Sequence, residues 1–186
     1  MSEISMPKVK LLLTALLLLG QLLLLAWEHF HGGIKTHHFL HRADFPGISN
    51  VWGIVVIPVL AWVASTQVYK RMAKSGMRMP LSALAGFTIA LLLGGVLAFG
   101  FSSGYEAFTG YVFQTILLLA LLLPAYRAET LLGFVLGMNV VFGSVLPTLI
   151  GLALAAISAI LHLLLWPQLV RAWRWLRGRA IATGGH

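Results

Sequence analysis

Two stretches of this chain, Leu11 to Trp27 and Leu81 to Phe101, run for 17 and 21 residues without one charged side chain. A helix of about 20 apolar residues matches a hydrocarbon core roughly 30 Å thick. Within lipid every backbone polar group must be satisfied inside the chain, so such stretches fold as helices. Of the 186 residues 59% are hydrophobic and 10% charged, against roughly 25% charged in a typical soluble domain. The sequence therefore reads as one all-α polytopic membrane domain with no soluble domain attached.

Apolar segments fall at 11–27, 48–69, 81–101, 107–125 and 131–166. The last is too long for one crossing, since 36 residues of helix would rise about 54 Å. Gly143, Ser144 and Pro147 stand near its middle, and proline and glycine both weaken helix there. The run thus divides into 131–145 and 148–166, giving six spans; one kinked helix, giving five, is the alternative. Charge decides between them. With six spans, Lys8, Lys10, Lys70, Arg71, Lys74, Arg78, Arg127, Arg171, Arg174, Arg177 and Arg179 share one side, 11 of the 13 basic residues, and only Lys35 and Arg42 lie opposite. Basic residues concentrate in cytoplasmic loops, so both termini and the basic tail 167–186 are expected inside, in a bacterial inner membrane. Lys8 and Lys10 before the first apolar run resemble a secretory signal, but no small-x-small cleavage site comes after it, and the run is expected to persist as the first span.

A net charge of +8 would raise nucleic-acid binding in a soluble protein. Here the charges sit at span ends, where they attract anionic lipid head groups, so membrane lipids and no nucleic acid are the expected partners. The chain has no cysteine, which excludes disulfides, thiolate metal sites and a cysteine nucleophile. No P-loop, dinucleotide fingerprint, G-x-S-x-G elbow or H-E-x-x-H is present. No acid or lysine stands in the middle of a span, as a coupled transporter's relay would require.

The densest chemistry lies in the loop 28–47. Residues 28–44 hold five of the seven histidines and two of the five acids. If the first span continues one turn past Trp27, Glu28 and His31 share a face at i, i+3, a spacing that lets a carboxylate and an imidazole meet one metal. Gly32 and Gly33 then break the helix. Thr36 is a suitable N-cap for a short second helix ending at Pro46, on which His37, His41 and Asp44 fall at i, i+4, i+7. A hairpin of these pieces would gather Glu28, His31, His37, His41 and Asp44 as ligands for a divalent metal such as zinc, iron or manganese. His29 and His38 point off those faces. Glu106, at the start of the fourth span on the same side, could complete the site as ligand or general base, or simply sit favourably on the helix dipole. Two other readings stand beside this: the histidines form a pH-sensitive cluster or a contact for lipid phosphates, or a hydrated loop carries them with no common role.

Few polar residues interrupt the spans: Gln21, Gln67, Gln114, Asn139 and His162. In lipid each needs a partner, and interhelical hydrogen bonds are expected for Gln114 and Asn139. Gly86, Ala90 and Gly94, and the pair Gly133 and Gly137, are spaced for close helix packing within the bundle or in a homo-oligomer. Ser49 or Asn50 should cap the second span by accepting a bond from a first-turn amide. Three functions fit: a metal-dependent enzyme acting on a lipid or amphipathic substrate at the interface, a carrier of metal ions or small solutes, and a non-catalytic subunit of a larger membrane complex.

Overall fold

The computed structural model describes residues 6–38, 47–171, 173 and 174. Six α-helices run through the described residues: α1 (Met6–Phe30), α2 (Gly53–Lys74), α3 (Leu81–Ser102), α4 (Glu106–Leu122), α5 (Ala128–Phe142) and α6 (Val145–Ala159). Two three-residue strands, β1 (Thr36–His38) and β2 (Gly47–Ser49), lie between α1 and α2. Among the described residues, four helical stretches are long and apolar enough to cross a membrane: 7–30, 50–74, 81–102 and 145–171. The helices α4 and α5 are apolar but shorter, at 17 and 15 residues.

The surface identifies the solvent. Leu12, Leu16, Leu23, Leu81, Leu92, Leu122 and Leu164 are all more than half exposed, far more apolar surface than a water-soluble monomer leaves uncovered. The core is built instead from small side chains and from α5, which buries residues on every face, including Leu131, Leu132, Phe134, Val135 and Met138. Its closest neighbour is α3. A β-carbon added at Gly133 would lie 2.3 Å from the Phe87 carbonyl oxygen, and one at Gly137 would lie 2.3 Å from that of Leu91. From the other side, one at Gly94 would come within 2.6 Å of the Phe134 oxygen. The glycine spacing read from the sequence thus serves one intrachain contact, in which backbone meets backbone.

The long apolar run is broken where Gly143 and Ser144 stand. Gly143 adopts φ +67°, which a side chain would resist, and α6 begins at Val145. Past Ala159 the helix widens into a π segment, Ile160–Leu165, with the Trp166 amide donating to the Leu161 oxygen five residues back.

At the opposite end of the bundle α1 ends where its glycines require. The Gly33 amide donates to the Glu28 oxygen at 3.0 Å, and Gly32 and Gly33 take φ +113° and +98°, a glycine-stopped helix end. The helix expected to start at Thr36 is not formed. Thr36–His38 is extended and pairs antiparallel with Gly47–Ser49, Thr36 opposite Ser49 and His37 opposite Ile48. The β-branched Thr36 suits a strand, and the ladder satisfies backbone groups that the glycine turn leaves open. His37 therefore does not share a helical face with His41 and Asp44, and these two lie outside the described residues. Ser49 does act as a cap: its hydroxyl accepts from the Val51 amide at 3.3 Å, opening a single 3-10 turn, Asn50–Trp52, that runs into α2.

Candidate functional site

Glu28 occupies the last turn of α1, where the helix dipole disfavours a carboxylate, yet it is 1% exposed. The chain on both sides of the glycine turn is folded around it. The Asn50 side-chain amide donates to one of its oxygens at 2.6 Å and the Lys35 backbone amide to the other at 3.3 Å. Asn50 is itself fixed at three points, because its own amide donates to the Lys35 oxygen at 3.0 Å and its carbonyl accepts from the Gln21 side chain at 3.2 Å. Gln21 in turn accepts from the Asn139 side-chain amide at 2.8 Å. One unbroken polar chain, Glu28–Asn50–Gln21–Asn139, thus links α1, the start of α2 and α5, and all four residues are buried.

Two glycines make room for these amides. A β-carbon at Gly53 would sit 2.2 Å from the Gln21 nitrogen, and one at Gly143 would sit 2.2 Å from the Asn50 side-chain oxygen. Beside them the Asn139 side-chain oxygen and the Ser144 hydroxyl are buried without a partner among the described residues. Farther along the bundle the chain of polar groups gives way to an apolar cluster of Ala61, Ala64, Ala128 and Leu132.

Of the five expected metal ligands, the three described ones, Glu28, His31 and His37, do not form one group. Glu28 faces inward onto Asn50, whereas His31 is exposed, donates from Nδ1 to the Trp27 oxygen at 2.8 Å and stacks on the Trp27 ring with centroids 4.7 Å apart. The reason is the helix itself: position 31 lies past the last residue of α1, on the turn that Gly32 redirects. His37 is half-buried on β1 near Gly143. His29 is exposed and edge-on to Phe30, and His41 and Asp44 lie outside the described residues. Among the described residues no three histidine or acidic side chains form a group that could hold a metal. Glu106 is exposed in the first turn of α4, with no hydrogen bond or ion pair to Glu28, His31 or His37. Gln67 and Gln114 are exposed too, so the interhelical role expected of Gln114 falls instead to Gln21, with Asn139 as its partner.

A second feature has no counterpart in the sequence motifs. A cavity of about 290 Å³ opens between α3, α4, α5 and α6, in the half of the bundle away from Glu28. Ala90, Ile116 and Phe134 form its floor, and Ser82, Arg127 and Thr130 stand at its mouth. Its wall is apolar apart from those three side chains and holds no carboxylate or imidazole among the described residues. On the α3 side Ser82, Ala85 and Ile89 are exposed, so the cavity opens sideways onto the surface that lipid would cover.

The loop between α4 and α5, beside the mouth, is tied to α6 and the π segment. Ser158 Oγ accepts from the Ala125 amide and donates to the Leu123 oxygen, both at 3.0 Å. The two ring nitrogens of His162, in the π segment, face the Ser158 oxygen at 2.9 Å and the Leu122 oxygen at 3.3 Å. Across the same end, Arg71 pairs with the buried Glu129 at 2.5 Å. The sequence marks these positions only faintly: Ser158 and His162 sit one helical turn apart, and Gly86, Ala90 and Gly151 supply the small side chains that a cavity between helices requires. No protein-family model matches this sequence, and neither a curated protein nor a solved structure matches it.

Proposed function

We propose that this chain is a lipid-binding protein of a bacterial cytoplasmic membrane, that all six helices cross the bilayer with both termini inside, and that the lateral cavity receives a lipid acyl chain. One observation carries the binding reading: an apolar cavity of about 290 Å³ that opens on the lipid-facing side of the bundle and has polar side chains only at one end. Ligand sites of about 300–1,000 Å³ are typically apolar with a few convergent polar groups, and an amphiphile has the same asymmetry. The absence of carboxylate and imidazole from the described wall favours binding over turnover. The apolar cluster below Asn139 favours it over ion conduction. The crossing of α4 and α5 is supported by their apolar length and by their place between spans of full length.

The test is photolabelling in detergent micelles with a phospholipid that carries a diazirine near the end of one acyl chain. Adducts are expected on the peptides that contain Ile116 and Phe134. The variant Ala120→Phe, whose ring would fill the cavity from α4, should lose most of that labelling while exposed leucines on α1 label as before. Labelling spread evenly over exposed leucines, and equal in the variant, would sink the proposal.

A further inference from the structure

Resting on that reading, we infer that the occupant is an anionic phospholipid of the leaflet on the Arg127 side, with its phosphate on Arg127 and one acyl chain in the cavity. The argument starts from Arg127. It is half-buried at the mouth of an apolar cavity, and no acceptor among the described residues takes a hydrogen bond or ion pair from its guanidinium. A guanidinium carries five N–H donors in a planar fork suited to carboxylate and phosphate. A partly desolvated charge without a partner is unfavourable, and an anion drawn to it is correspondingly stabilised. The nearest acid in sequence, Glu129, turns one oxygen to Arg71 and makes no ion pair with Arg127. Ser82 and Thr130, the other polar side chains at the mouth, likewise find no partner among the described residues, so hydroxyl and guanidinium donors line the same cavity end.

Depth then indicates the rest of the molecule. From Ser82 at the mouth to Leu93 on the wall, α3 advances eleven residues, about 16 Å at 1.5 Å each. That is about half of a ~30 Å hydrocarbon core, the reach of an acyl chain anchored in one leaflet. A volume near the low end for ligand sites suits one such chain rather than two. Lys70, Lys74 and Arg78 lie at the same end of the bundle, and clustered basic residues beside a span concentrate anionic lipid.

The experiment uses the full chain in nanodiscs of phosphatidylcholine doped with one of two photoprobes that share a diazirine acyl chain, phosphatidylglycerol or phosphatidylcholine. Wild type should label the cavity about tenfold more with the anionic probe, the ratio that one charge-assisted hydrogen bond supplies. Arg127→Ala should label equally with both probes at the phosphatidylcholine level, and Arg127→Lys should retain most of the preference. Retained phosphatidylcholine labelling in Arg127→Ala also shows that the variant is folded. Equal labelling in wild type, or a preference that survives Arg127→Ala, would overturn the inference and leave the acyl-chain reading standing. Failure of both probes to label the cavity in wild type would overturn that reading itself. If a diazirine fatty acid displaces the anionic probe and labels more strongly, the source is a free acid and the phospholipid assignment fails.

Discussion

Asn50 sits where three segments must agree, and its replacement separates their contributions. In Asn50→Leu the Glu28 carboxylate would stay buried with only the Lys35 amide, and Gly143 would face a bulkier neighbour. An unsatisfied buried charged group costs about 2–3 kcal/mol, so a clearly lower midpoint of thermal unfolding in detergent is expected. Glu28→Gln keeps an acceptor for the Asn50 amide and should be milder. An unchanged midpoint in Asn50→Leu would mean that the polar chain is not a structural tie. These residues are partly legible in the sequence. Glu28 stands out for its chemistry, and a cap at Ser49 follows from residue type, because both depend on neighbours in sequence. The partnership with Gln21 and Asn139 is not legible, because it joins residues 29 and 118 positions apart, and no local spacing encodes such a distance. Helical periodicity alone assigns Glu28 to a metal, but periodicity describes a face and does not say what the face meets. Here it meets an amide.

Among the elements, α3 and α5 carry the packing. Gly137→Ala would push a β-carbon into the Leu91 oxygen and the Gly95 nitrogen, at 2.3 and 2.7 Å. Both neighbours are backbone and cannot rotate away, so a loss of about 2 kcal/mol or more is expected, in the range for overpacked cores. Gly110→Ala on α4 is the matched control, since nothing lies within 4 Å of the added carbon. Helix propensity alone should make it neutral or stabilising by up to about 1 kcal/mol. The two variants melting alike would contradict the described contact. Helices as a class are readable from charge-free length, and the break at Gly143 from glycine and proline, because both reflect local backbone limits. The β1–β2 pair is not, since strands of three residues contain too little alternation to be seen. Nor is the cavity, which is defined by the space four helices leave unfilled rather than by any one of them.

For the whole molecule the first question is which end faces which compartment. The chain lacks cysteine, so single cysteines can report sidedness without background. Ser103→Cys, after α3, should react with a membrane-impermeant maleimide in intact cells, and Ser75→Cys, after α2, only once the membrane is opened. The reverse pattern would invert the orientation, and identical reactivity at both sites would mean that α3 does not cross. The Gln21–Asn139 bond adds a constraint in time. Its partners are 118 residues apart, roughly 6–24 s of synthesis at about 5–20 residues per second. By the time α2 is complete the Gln21 side-chain oxygen still awaits its donor, so a ribosome halted before α5 would leave an N-terminal fragment with an unpaired amide oxygen in lipid. That amide finds its partner only when Asn139 arrives, so the bond closes late in the assembly of the bundle.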